Sequence, residues 1–360
     1  MKFRDSQTLY RLLPFLVATT AGAAVPCGPA VDLRNSAVAG LPSAEQGDTY
    51  ACGYFASATF LDSFRKTHGG IEAGTLPADP IALALDVAIA NPRPRWLPIQ
   101  VTTDPLSETN GRRGSFLCAI IDQARESGVC DPGDPRVLDR EWTTKRSNQA
   151  LVLYRTLHAY AGESKTSQTA KLHETVGSVR AAIAQLDTPA SNEDLTRIVW
   201  EYRNDPYRAI RALLYPSCAE GKPRRPFRDL PSCETDWYLG PSAVGIGSGR
   251  ARGRAIASDI SASFDEKLPL PVPVLHCFQV MREGRKYDGS SILSSDCILH
   301  YVNVIGRREH GGTCQFLVRN SYDPSDEYAV SKDWERDGVD FWVDAETFGR
   351  SAYAVHYYGE

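Results

Sequence analysis

The apolar pattern of this chain changes its period near residue 270, and that change constrains the fold more than any other feature. Before it, apolar residues recur at the i, i+3 spacing of a buried helix face, as in Phe55, Ala58 and Leu61. After it, short runs rich in valine, isoleucine and aromatic residues predict strands. Helical patterns cover 52–68, 115–128, 147–162, 168–187, 192–214 and 255–265, and strand runs cover 272–278, 298–305, 315–319, 341–343 and 352–357. We therefore expect an α+β chain of two unlike lobes, with function at their seam.

The amino terminus has the three parts of an export signal. A basic region containing Arg4 and Arg11 surrounds the start of an apolar run over 12–20, and small residues suited to cleavage follow at 21–23. No other segment approaches the roughly 20 apolar residues that a membrane span needs. A proline directly before Cys27 argues against a lipobox there. We expect a secreted or periplasmic, extracytoplasmic protein without a membrane anchor.

These patterns divide the chain into four segments. We assign 1–23 to the signal peptide, 24–138 to an N-terminal helical lobe, 139–238 to a helical insertion and 239–360 to a C-terminal β-rich lobe. The insertion is hypothesised to cover or shape the cleft between the lobes and so to regulate it.

The charge balance limits the class of partner. The net charge is −4 and the isoelectric point is near 6.0, which gives no reason to expect nucleic acid. The one dense basic spot, at Arg250, Arg252 and Arg254, is better explained as a solvated loop. We expect a monomer.

The nine cysteines fit an oxidising compartment. With Cys52 set aside, eight remain, an even number that allows four disulfides. Their connectivity does not follow from spacing, although Cys218 and Cys233 are the easiest pair to defend because they bracket a loop without apolar periodicity. The alternative is that several are buried thiols. No Cys-x-x-Cys pair exists and His310 to Cys314 is isolated, so we expect no zinc site.

Three residues in chain order suggest acyl-transfer chemistry. Cys52 stands at the predicted start of a helix, where unpaired amides and the helix dipole favour the thiolate. His300 lies in a strand-like run and Asn320 follows the next such run. Gln46, six residues before the cysteine, can supply an amide donor to an oxyanion. A thiol, an imidazole and an amide that orients the imidazole are the parts of a nucleophilic site.

Several segments resemble the papain-like cysteine proteases, in the order that this family has them. The similar segments are Val31-Asp32-Leu33-Arg34, Gln46-Gly47 with Cys52 and Phe55-Ala56, Gly114 with the helix that ends at Gly128-Val129, Leu270 to Val274, His300 to Gly306, and Arg319-Asn320-Ser321-Tyr322. The chain departs from the family at Gly53 and Tyr322, where the family has tryptophan, and in its long insertion. The resemblance implies a helical lobe and an antiparallel β-barrel-like lobe with the active-site cleft between them.

The resemblance also implies a role for each matched residue. Cys52 would be the nucleophile, His300 its acid–base partner, Asn320 the group that orients the imidazole, and Gln46 an oxyanion donor. Gly114 would form part of the substrate groove. The expected function is an exported cysteine endopeptidase that cleaves peptide bonds through a thioester and needs no cofactor or metal.

Other interpretations of the same residues stay open. Cys52 can be a buried helix cysteine, His300 a core histidine, and Asn320 a turn residue. Glycine before a helix has ordinary structural reasons, so Gly114 can equally well be a structural glycine or part of the groove. At the level of the whole protein, the alternatives are a catalytically degenerate peptide-binding relative and a thiol transferase or amidase on the same scaffold.

Overall fold

The computed structural model describes residues 25–43, 45–47, 49, 51–68, 77–90, 117–130, 135–188, 190–218, 227, 230, 232–237, 250–289, 297–322 and 330–358. Within these residues the fold is α+β, as the change of period predicts: ten α-helices accompany one eight-stranded antiparallel sheet. The predicted signal segment and Gly114 lie outside the described residues. None of the described helices is long and apolar enough to cross a bilayer.

The helices follow the predicted patterns, with boundaries set by capping residues. They are α1 (Cys52–Thr67), α2 (Pro80–Ala90), α3 (Leu117–Ser127), α4 (Arg140–Ala161), α5 (Lys165–Ala184), α6 (Asn192–Glu201), α7 (Pro206–Leu214), α8 (Arg250–Ala262), α9 (Gln279–Glu283) and α10 (Ala345–Ser351). Helix α4 begins earlier than predicted because the Asp139 carboxylate accepts hydrogen bonds from its first-turn amides. The single helix expected over 192–214 is two helices, since Asp205 caps a new helix that Pro206 opens. Arg250, Arg252 and Arg254 lie in α8, so their expected placement in a loop is wrong; the Arg252 side chain is buried.

The sheet forms mainly from the last quarter of the described chain. Its strands are β1 (Val31–Asp32), β2 (Cys233–Trp237), β3 (Val272–Cys277), β4 (Leu299–His310), β5 (Thr313–Arg319), β6 (Glu335–Asp337), β7 (Asp340–Asp344) and β8 (Ala352–Tyr358). They are ordered β2-β8-β3-β4-β5-β7-β6, and β1 pairs with the far part of β4. Strands β3, β5 and β7 are almost wholly buried, as is the part of β4 over 300–307, which explains why they appear in sequence as continuous apolar runs.

The amino-terminal segment joins the carboxyl-terminal sheet. Strand β1 pairs through Val31 with Arg307 and through Asp32 with Gly306. A Cβ atom at Gly306 would lie 2.5 Å from the carbonyl oxygen of Val31, so this approach requires glycine. The first and last parts of the described chain therefore fold together.

Buried charges attach α4 and α7 to α2. Arg146 of α4 lies 2.5 Å from the Asp79 carboxylate, which also accepts a hydrogen bond of 3.0 Å from the Tyr215 hydroxyl. Arg211 of α7 lies 3.2 Å from Asp86 of α2. Removing one partner of such a buried pair leaves an uncompensated charge at a cost of roughly 3–5 kcal/mol. The predicted insertion is thus packed into the helical core.

The cysteine pairing differs from the one expected. Eight cysteines lie in four pairs at disulfide distance, with Cα–Cα separations of 5.1 to 5.7 Å: Cys27–Cys314, Cys118–Cys233, Cys130–Cys218 and Cys277–Cys297. The expected pairing of Cys218 with Cys233 is wrong, because the ends of that loop separate towards opposite ends of α3. A bridge across the 88 positions between Cys130 and Cys218 contributes about 4.6 kcal/mol in the chain-entropy model.

Candidate active site

Cys52 is the one cysteine of the nine that is not paired. It is the first residue of α1, and its N-cap residue Ala51 provides no side-chain hydrogen bond. The backbone amides of Cys52, Gly53 and Tyr301 lie close enough to the Cys52 sulfur to favour its thiolate form. The last of these amides belongs to β4 and directly follows His300 in sequence. The amino end of α1 thus holds the sulfur against the strand that carries the predicted histidine.

The two other expected members of the constellation contact each other directly. His300 Nε2 lies 2.6 Å from Asn320 Oδ1, and both residues are buried. The backbone N–H of Ser321 donates to the same Asn320 oxygen at 2.8 Å, which fixes the orientation of the amide. Because this oxygen can only accept, the neutral His300 ring carries its proton on Nε2. Its Nδ1 lone pair is then available as a base.

Gln46 lies beside Asn320, but its amide is fully engaged. The Gln46 backbone N–H donates to the Ser321 carbonyl at 2.9 Å, and the Ser321 hydroxyl donates to Gln46 Oε1 at 2.6 Å. Gln46 Nε2 donates to the Thr49 carbonyl at 2.6 Å and to the Tyr322 hydroxyl at 3.1 Å. An amide nitrogen has two protons, so in this conformation neither is directed at a substrate.

Two aromatic rings cover the imidazole. The Tyr322 ring stacks on His300 at a centroid distance of 4.8 Å and an angle of 25°. Phe278 meets the same imidazole edge-on at 5.2 Å. These rings exclude water from the contact between His300 and Asn320, which strengthens that hydrogen bond.

Burial determines the protonation state of the site. It raises the pKa of the Cys52 thiol, and the nearby backbone amides offset this only in part. It also lowers the pKa of His300 to about 4, against the opposing effect of the hydrogen bond to Asn320. Desolvation thus opposes the thiolate that the helix start was expected to favour. Near pH 7 the two groups are a neutral thiol and a neutral imidazole.

Helix α4 contacts the loop that carries Gln46. Arg140 donates to the Glu45 carboxylate at 3.2 Å and to the Tyr322 carbonyl at 3.2 Å. Farther along α4, Asn148 lies so close to Gly47, which has φ 56°, that a Cβ atom there would be 2.2 Å from the asparagine side-chain oxygen. The predicted insertion thus lies against the residues on either side of Gln46 and against the backbone of Tyr322.

A further group of polar side chains lies around the Tyr301 hydroxyl and His356. The Tyr301 hydroxyl lies 3.2 Å from His356 Nε2, and the other ring nitrogen of His356 lies 2.9 Å from the Thr235 hydroxyl. The ligand atoms of Cys118, Cys233 and His356 are within 4.8 Å of one another, a grouping that could hold a metal ion. The two sulfurs are at disulfide distance, and bridged sulfurs offer no thiolate to a metal. Spacing in the sequence did not indicate this group.

Sequence reasoning also missed Phe278, Ser321 and Asn303 at the site. Asn303 Nδ2 donates to the Ala56 carbonyl at 3.2 Å and so connects β4 to α1. A polar residue between valines in an apolar strand was the available signal. Gly114 lies outside the described residues, so its predicted place in the groove stays a prediction.

Compared with known proteins, the chain matches no protein-family model and no curated protein.

Proposed function

We propose that the protein is an exported cysteine endopeptidase with a papain-like, two-lobed architecture. The observation that carries the proposal is the oriented imidazole: His300 donates through Nε2 to an Asn320 oxygen whose position the Ser321 amide fixes. The unpaired thiol of Cys52 lies at a helix start, near the backbone amide that follows this histidine. A base held in one tautomer, on the strand against which the helix of an unpaired thiol packs, supports nucleophilic chemistry. The paired cysteines support export.

In the proposed reaction, His300 Nδ1 accepts the thiol proton as the Cys52 sulfur attacks the carbonyl carbon of a peptide bond. The imidazolium then protonates the leaving amine, and water hydrolyses the thioester that remains. Because both groups start neutral, the proton transfer and the attack are coupled. The backbone N–H of Cys52 and the Gln46 amide would stabilise the oxyanion, each donor by roughly 3 kcal/mol.

This role requires a small rearrangement at Gln46. One of its two amide protons must leave the Thr49 carbonyl or the Tyr322 hydroxyl before it can donate to an oxyanion. Of the two contacts, that with Tyr322 is the longer, so we expect it to break when substrate binds.

Peptide hydrolysis by the purified exported form, compared with Cys52→Ala, tests the proposal. We expect wild type to release new amino termini from an unstructured protein substrate and Cys52→Ala to release none. Ser63→Ala is the matched control, because it removes a buried hydroxyl from the same helix far from the thiol. Equal hydrolysis by wild type and Cys52→Ala would refute the proposal. If added amines are incorporated into the product instead, the protein is a transferase on this scaffold.

A catalytically inactive peptide-binding protein is the second candidate. Full engagement of the Gln46 amide and burial of Cys52, which is 8% exposed, favour it. Such a protein would bind peptide equally well in wild type and Cys52→Ala while neither hydrolyses it. Calorimetric titration with the peptide, next to the hydrolysis assay, separates the two candidates.

A further inference from the structure

We propose that a cavity behind the candidate active site binds one water molecule, and that this water positions Asn320. The cavity lies between α1 and strands β4 and β5. It has a volume of about 20 Å³ and is lined in part by Ala56, Asn303, Arg319 and Asn320. Space of this size accommodates a single water molecule.

Three lining residues each present a buried polar atom without a hydrogen-bond partner in the protein. These atoms are Asn303 Oδ1, Asn320 Nδ2 and Arg319 Nη1. Asn303 and Arg319 face each other across the β4–β5 pair, and Asn320 follows in sequence. The three residues are 2%, 8% and 3% exposed, in the order Asn303, Arg319, Asn320. A buried polar group without a partner costs roughly 1–3 kcal/mol, so three such groups on residues that line one cavity favour a shared polar ligand.

The orientation of each group is fixed by its other contacts. Asn303 uses its amide nitrogen on the Ala56 carbonyl, which leaves its oxygen as an acceptor. Asn320 uses its oxygen on His300 and Ser321, which leaves its nitrogen as a donor. Arg319 binds Asp340 through Nε and Nη2, each at 3.0 Å, which leaves Nη1. Two donors and one acceptor match water, whereas an anion would be opposed by the Asn303 oxygen and by the Asp340 charge.

The water would connect the nucleophile helix to the imidazole. Asn303 hydrogen-bonds α1 through Ala56, and the water would extend this link to Asn320 and so to His300. Asn303 and Arg319 are then positioning residues that hold the Asn320 amide, and through it the Nε2–H tautomer of His300. The effect on catalysis rests on the proposed peptidase function, whereas the water site and the tautomer do not.

A high-resolution crystal structure and histidine-selective ¹⁵N NMR of the full exported chain test the site directly. We expect density for one water within hydrogen-bond distance of all three atoms. We also expect ring nitrogen shifts typical of the Nε2–H form for His300, assigned with His300→Gln. An empty cavity, or density for a heavier anion there, would overturn the proposal.

Variants of Asn303 separate the water from the contact with α1. Asn303→Leu removes both and should mix the His300 tautomers, with a loss of kcat/KM of roughly tenfold or more. Asn303→Asp keeps an acceptor for the water and loses the donor to Ala56, so it should keep the tautomer. Gln315→Leu is the matched control, since it replaces a buried amide of β5 that binds Arg308.

These readouts also distinguish the two proposals. If Asn303→Leu keeps the wild-type tautomer and pH profile, the positioning role is wrong even in an active enzyme. If wild type hydrolyses no peptide yet shows the water and the Nε2–H form, only the peptidase proposal fails.

Discussion

Tyr322 combines two contacts that connect the imidazole to the predicted oxyanion donor. Its ring stacks on His300, and its hydroxyl accepts a hydrogen bond from Gln46 Nε2. A tryptophan in its place could cover the imidazole but could not accept this hydrogen bond, because the indole nitrogen only donates. Tyrosine therefore provides both the cover and a polar connection.

Paired substitutions of Tyr322 separate these contacts. Tyr322→Phe keeps the ring and frees one Gln46 proton, so we expect kcat/KM to stay equal or to rise severalfold. Tyr322→Ala opens the contact between His300 and Asn320 to water, and removal of this cover should lower kcat/KM roughly a hundredfold. Steady-state peptide hydrolysis measures both. Equal losses in the two variants would contradict the separation of roles.

Among the elements, α4 has the most direct connection to the site. It is attached to α2 by the buried pair of Arg146 and Asp79, and it contacts the site loops through Arg140. Deleting the predicted insertion, 139–238, would leave buried charges unpaired, so the deletion would unfold the protein. A substitution on α4 is the better test of the hypothesis that the insertion regulates access.

Arg140→Ala should loosen the loop that precedes Cys52. The guanidinium holds Glu45 and the Tyr322 carbonyl together, and without it the loop opens more often. We expect iodoacetamide to alkylate Cys52 several times faster than in wild type at the same pH. Lys145→Ala removes the same charge from an exposed position of α4 and serves as the control. Unchanged alkylation in Arg140→Ala would argue against a regulatory role for this contact.

At the scale of the whole molecule, three buried histidines lie in adjacent strands of the sheet. Burial lowers the pKa of His300 to about 4 and that of His356 to about 3. It also holds the pKa of His276 well below the ordinary value of 6.5, with a smaller effect from neighbouring His300. All three are neutral in the folded protein near pH 7.

Acid should therefore destabilise the fold. The unfolded chain binds protons near pH 6.5 that the folded chain does not, so stability is complete above that pH and falls as the pH drops towards 4. His300 alone accounts for about 3 kcal/mol once the pH is below its folded pKa. Urea unfolding at pH 8, 6.5 and 5 measures this, with the exposed His310→Gln as control. The same midpoint at all three values would show that the histidines are not buried and neutral.

The sequence predicted those helices and strands that have a clear apolar pattern of their own. Apolar periodicity predicted α1, α3, α5 and strands β3, β4, β5, β7 and β8, because a buried face requires apolar residues at a fixed spacing. It missed β2 and β6, which are short and partly exposed, and β1, whose two residues form a strand only because β4 lies beside them. Such strands are defined by their partners and carry little pattern of their own.

For the candidate site, the order and types of residues in the sequence pointed to a thiol, an imidazole and an orienting amide. The contact between His300 and Asn320 follows from a predictable hairpin of neighbouring strands. The cysteine pairing, the contact of α4 with the site and the protonation of Cys52 and His300 depended on the tertiary structure. Local patterns specify which residues can be buried, whereas pKa values and cross-links depend on which distant groups meet once burial is complete.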